Sequence, residues 1–180
     1  MDRGKWIIIG IFGTALAMGV FAWQYRIQSG DQVIAYWGIE PATRLRHAAH
    51  IEFLQLSDTA ADGSSLQIND AQRHIESVID ITNRKGLIHA RHMFISDHSY
   101  LWNTPVSNVA KRWDFALRFR DGSAEVTLAF DIQTHSVQML GKNQPLVMGP
   151  MFDNLLYYLS PLLEPASGSG SSLPSARGVQ

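Results

Sequence analysis

WDFALRFRDGSAEVTLAF, residues 113–130, is the stretch whose reading decides the fold. Trp113, Phe115, Leu117 and Phe119 alternate with Asp114, Ala116, Arg118 and Arg120, and the alternation resumes through Val126, Leu128 and Phe130. Successive side chains of a strand point to opposite faces, so each run is a strand with one apolar face. Asp121-Gly122 between them reads as a two-residue hairpin turn of the primed type. That turn pairs Phe119 with Ala124, Leu117 with Val126, Phe115 with Leu128 and Trp113 with Phe130 on one face, and sets Arg118 opposite Glu125. An antiparallel sheet with a buried face follows.

Working outward, residues 50–56 alternate again, with Ile51 and Phe53 on one side and Glu52, Leu54 and Leu56 on the other. After a polar loop, residues 65–68 and 72–81 flank Asn69-Asp70. Ile75, Val78 and Ile79 also fit a helix, but β-branched enrichment and the Asn-Asp turn favour a hairpin, with Ile75, Ser77, Ile79 and Ile81 on one face. Residues 135–140 add another strand. Helical spacing appears in 84–96, through Leu87, Ile88, Phe94 and Ile95, and in 150–163, through Met151, Phe152, Leu155, Leu156, Leu159 and Leu162, with Pro161 placed to kink or end it. Ahead of the sheet, Asp31 caps a short helix that Gly38 ends, and Pro41 opens a second one reaching Ala49. The expectation is an α+β domain: one antiparallel sheet of five or six strands with helices packed on one face.

Residues 6–23, WIIIGIFGTALAMGVFAW, carry no charge. About 20 residues at ~1.5 Å each give roughly 30 Å, the thickness of a hydrocarbon core, so the stretch reads as an N-terminal transmembrane helix. Trp6, Trp23 and Tyr25 suit the two interfaces. Arg3 and Lys5 before the span, against Arg26 after it, predict a single-pass protein of the inner (cytoplasmic) membrane with a cytoplasmic N-terminus and an extracytoplasmic domain. Ala15-Leu16-Ala17 would suit signal-peptide cleavage, but apolarity resumes at Val20, Phe21 and Trp23. Gly13 and Ala17, like Ala15 and Gly19, have the spacing that lets two helices approach closely. The chain then divides into a stub and anchor (1–28), juxtamembrane short helices (29–49), the α+β domain (50–164) and a disordered Ser/Gly/Pro tail (165–180).

The chain has 180 residues, a net charge of −1 and no cysteine. This balance argues against nucleic acid as a partner, and the missing cysteine excludes disulfides and thiolate chemistry. His89 and His92 lie three apart on one helix, a spacing that suits two metal ligands, but no HExxH accompanies them and exposed histidines explain them better. Ser96, Asp97, His98 and Ser99 are triad residue types adjacent in sequence, which rarely point together. Glu52, Glu76 and Asp80 can share a sheet face, where solvated carboxylates are the simpler account. No glycine-rich phosphate loop and no GxSxG elbow is present, and no cofactor is expected.

Three segments carry a resemblance: AYWG at 35–38, DITNRKGLIHARHMFISDHSYLW at 80–102 and WDFALRFRDG at 113–122. Together they resemble a bacterial family of single-span, membrane-anchored extracytoplasmic proteins with no known activity, which share a GLxHxR helix followed by an acidic-serine-aromatic-x-Trp segment. The matching positions are Gly86, Leu87, His89, Arg91, Asp97, Ser99, Tyr100 and Trp102. The resemblance implies no catalytic residue and directs attention to His89, Arg91, Asp97, Tyr100 and Trp102 as one cluster. Read from its residues, that cluster is either structural, with Arg91 paired to Asp97 and two aromatics capping the core, or a binding site. The functional expectation is a membrane-tethered, non-enzymatic interaction or assembly module of the cell envelope with a protein partner or copies of itself. The alternative is a small-ligand- or metal-binding domain, or a hydrolase, using residues 89–102.

Overall fold

The computed structural model describes residues 3–28, 31–59, 64–105 and 112–163. Its elements are α1 (Arg3–Gln28), α2 (Asp31–Trp37), α3 (Ile39–His47), β1 (His50–Ser57), β2 (Ser65–Ile68), β3 (Ala71–Asp80), α4 (Leu87–Phe94), β4 (Phe115–Asp121), β5 (Ala124–Asp131), β6 (Ser136–Met139), β7 (Leu146–Val147) and α5 (Met151–Leu163). The strands form one antiparallel sheet in the order β2-β3-β1-β4-β5-β6-β7. That is seven strands where periodicity predicts five or six. The extra one, β7, has two residues and is too short to show any period.

The β4–β5 hairpin keeps the expected faces but shifts its register by one pair. Phe115 faces Phe130, Leu117 faces Leu128, Phe119 faces Val126 and Arg120 faces Glu125, so the turn residues are Gly122 and Ser123. Gly122 sits at φ +59° and no positive φ occurs at Ser123, which is the type II′ pattern with glycine first. Trp113 is a second correction. Its φ of +50° interrupts the alternation before β4, so the indole packs with Leu54, Ile68 and Ala116 instead of lining up behind Phe115. A third lies in β3, where pairing to β1 skips Glu76. This bulge turns Ile75 to the opposite face from Ile79 and Ile81.

Two cores result. Phe53, Phe115, Leu117, Phe119, Leu128 and Phe130 face the helices, with Trp37 of α2, Leu45 of α3, Phe94 of α4 and Phe152 of α5 laid over them. Phe115 stacks between Phe53 and Phe130, its ring centroid 5.5 and 4.8 Å from theirs. The other face curls on itself. Asn69, in the β2–β3 turn, exchanges hydrogen bonds of 3.0 and 2.5 Å with Gln138 of β6, although β1, β4 and β5 lie between these strands in the sheet. Inside the curl lie Leu54, Leu56, Leu66, Ile68, Ile75 and Trp113, over the directly paired Ala116 and Ala129. Facing backbones come close only where side chains are small.

The N-terminal expectation is corrected. Among the described residues no helix is long and apolar enough to cross a membrane. The backbone of α1 is helical from Arg3 to Gln28. The transmembrane span, the single-pass topology and the inner-membrane location are therefore not supported. The side chains of Trp6, Trp23 and Tyr25, and the whole tail at 165–180, lie outside the described residues. Trp37 of α2 is 1% exposed, packed beneath the domain.

Ala129→Leu should overfill the curl and cost roughly 1–3 kcal/mol, visible as a lower urea midpoint. An unchanged midpoint would show that the inner face has room to spare.

Candidate functional site

Residues 86–102 run from the top of α4 to the loop beside α2. Gly86 starts the segment at φ +92°, a left-handed conformation that side chains rarely adopt. Leu87, Ala90, Met93 and Phe94 then point into the core. Ile88, grouped with them by heptad spacing, is 73% exposed on the opposite side.

The expected Arg91–Asp97 pair does not form. Arg91 donates to the carbonyls of Arg46 (3.2 Å) and Ala48 (2.5 Å), at the C-terminal end of α3. Asp97 accepts from the backbone N–H groups of Gln32 (3.3 Å) and Val33 (2.8 Å), in the first turn of α2. Each charge thus meets the helix end of opposite polarity, where unpaired backbone groups are most in need of partners. Two helix ends offer more to these side chains than they offer each other. The cap that Asp31 was expected to supply to α2 comes from Asp97, 66 positions later.

Tyr100 and Trp102 stay with Asp97. The Trp102 indole donates to the Asp97 carbonyl at 2.9 Å, and the Tyr100 hydroxyl donates to the Phe94 carbonyl at 2.9 Å. With Tyr36 and Trp37 of α2 they form an aromatic cluster of edge and tilted contacts, centroids 4.9–6.2 Å apart. Burial pushes the Tyr100 phenol far above its ordinary pKa. The five residues therefore divide: Asp97, Tyr100 and Trp102 dock α2, Arg91 docks α3, and His89 stands exposed on α4.

The catalytic ingredients are placed apart or already engaged. His89 and His92 gain no third ligand, since no group of three metal-capable side chains occurs among the described residues. Ser99 is buried, its hydroxyl against the Met151 sulfur at 3.4 Å, while His98 is exposed. Glu52 and Asp80 do face each other across β1 and β3. Glu52, however, bridges Arg118 at 3.2 Å and Arg120 at 3.0 Å. Asp80 accepts from the Thr82 N–H at 2.8 Å, and its hydrogen bonds to Thr82 hold its carboxyl below the usual range. Glu76 is the exposed bulge residue.

What periodicity missed is a groove of about 770 Å³ between α3 and α4. Arg46, His47, Arg84, Arg91 and His92 line it, and no carboxylate does. These residues come from three separate segments, so only the packing of α3 against α4 collects them. Arg44, Arg46 and His47, close together on α3, are the one hint of it in the sequence.

Asp97→Ala should remove the α2 cap and cost about 1–2 kcal/mol, with a red shift in tryptophan emission as Trp37 becomes wet. Unchanged stability and emission would mean that α2 is held by packing alone. Because folding raises the Tyr100 pKa, its contribution to stability is complete below the unfolded value near ~10 and is lost as pH rises beyond it. Absorbance at 295 nm should show this phenol ionising only together with unfolding.

No protein-family model, curated protein or solved structure matches this chain, so the family resemblance rests on its three motif segments alone.

Proposed function

We propose that this chain is a non-enzymatic interaction or assembly module that associates with copies of itself through α1. The observation that carries this reading is the surface of that helix. Ile8, Ile9, Ile11, Phe12, Leu16, Met18, Val20 and Phe21 are 52–74% exposed, and they follow one another around every side of the helix. A helix that is apolar all round is stable in water only when it is surrounded. Burying these eight side chains would release on the order of 10 kcal/mol, far more than the domain's own helices leave unclaimed. A flat patch on a partner covers one side of such a helix. A bundle of equivalent helices covers all of them, and the gaps at Gly10, Gly13 and Gly19, where nothing lies within 4 Å, leave room for close approach.

The folded domain also argues for assembly over turnover. Arg91, Asp97, Glu52 and Asp80 are engaged in holding helices, strands and turns.

Sedimentation velocity of the full chain over a range of concentrations should show a stable oligomer. Phe12→Glu with Leu16→Glu should convert it to monomer without changing the circular dichroism of the domain. A monomer at every concentration, or association that survives the double substitution, would overturn the proposal. So would recovery of the chain only on phosphatidylcholine vesicles.

A further inference from the structure

We infer that the groove between α3 and α4 binds a small organic anion, a phosphate monoester or carboxylate carried on an apolar body. The inference stands apart from the association of α1, because none of the residues lining the groove belongs to that helix.

Charge comes first. Five cationic or protonatable side chains line the groove without a single carboxylate. The side chains of Arg46, His47 and His92 have no hydrogen-bond or ion-pair partner among the described residues, and all three residues are exposed. Arg84 and Arg91 are anchored, but to neutral groups. Arg84 donates to the Tyr158 carbonyl at 3.1 Å and lies over its ring, 5.1 Å from the centroid. Arg91 spends its two terminal nitrogens on carbonyls, and its buried Nε has no partner. Neither positive charge is therefore neutralised. Asp80 borders an adjoining recess that shares Asn83 and Arg84 with the groove, and is engaged with Thr82.

The helix ends reinforce this. The C-terminal carbonyls of α3 would repel an anion, and the Arg91 guanidinium covers two of them. The N-terminus of α4 opens onto the same groove at Gly86, Leu87 and Ile88 with no side-chain cap. A concave wall concentrates such a field, and a ligand anion is the group that relieves it.

Shape supplies the second half of the specificity. Ala48, Leu87, Ile88 and Ile95 form an apolar strip along the groove. A volume of about 770 Å³ falls in the range of small-molecule clefts. Inorganic phosphate would satisfy the cations and leave the strip wet. An anion with an aryl or alkyl body satisfies both.

The test titrates the full chain with phenyl phosphate, phenylacetate, inorganic phosphate and phenol, read by isothermal calorimetry at low and high salt. Phenyl phosphate or phenylacetate should bind saturably, more tightly than phosphate or phenol, and more weakly as salt rises. Arg46→Ala should weaken binding about tenfold, the loss of one charge-assisted hydrogen bond. Ile88→Asp should weaken it further, and Lys142→Ala, at the exposed β6–β7 turn, should leave it unchanged. Arg46 and Ile88 are exposed, so both variants should fold, as circular dichroism will verify. No saturation by either organic anion, equal affinity for phosphate, or equal losses in the Arg46 and Lys142 variants would each overturn the inference. Because α1 is untouched in all three variants, this outcome is independent of whether the chain self-associates.

Discussion

Strands β4 and β5 must serve two cores at once, and every other packing choice in the domain follows from that demand. On the helix side the spacing between layers is wide, and Phe115, Phe119 and Phe130 fill it. On the inner side the sheet returns over itself, and the paired Ala116 and Ala129 keep the layers close. Large and small therefore alternate along each strand, where a one-sided sheet would alternate apolar and charged. Toward the open end of β4 the second face is finished by charge: Arg118 and Arg120 converge on Glu52 at the point where the curl no longer covers them.

Around this double-faced centre the helices are held by their ends as well as their faces. Helix α5 orients itself by burial through Phe152, Leu155 and Leu159, and α4 does so through Leu87, Ala90, Met93 and Phe94. Helices α2 and α3 have seven and nine residues, lengths at which isolated helices do not persist in water. Their orphan N–H and carbonyl groups are met by Asp97 and Arg91, both from the segment after β3. The same two charges that hold the short helices leave the α3–α4 groove positive, because Arg91 is balanced by carbonyls and not by an acid. A structural device and a surface property thus have one cause.

Much of the sheet was legible in the sequence, because period-2 alternation and turn chemistry are local signals. Asn69-Asp70 and the strands beside it stand where their residues place them. The departures come from backbone features that alternation does not encode: the left-handed Trp113, the bulge at Glu76, and a turn centred one residue later because Gly122 takes the first turn position of a type II′ loop. The site was less legible for a different reason. Proximity within 89–102 suggested one cluster, but Arg91 and Asp97 were each drawn to helix ends far away in sequence, whose need for a partner no linear pattern displays. Arg46, Arg84 and His47 come together only through tertiary packing. The apolar run at 6–23 showed its composition plainly, and composition alone does not fix what surrounds a helix.

The two margins of the sheet decide what an incoming strand would find there. Strand β2 has four residues and β7 two, and Met148 just beyond β7 already bridges to Tyr100. Such short borders offer an incoming strand few free N–H and C=O groups, and the clasp between Asn69 and Gln138 folds one of them inward, while the outer side of β3 beyond Ile75 has no pairing strand among the described residues. Addition of strand to strand, a route by which β-rich domains aggregate, is thereby confined to that short stretch of β3. The sheet has been made a poor template, and a chain built this way is free to carry an exposed apolar helix without inviting its neighbours to join edge to edge.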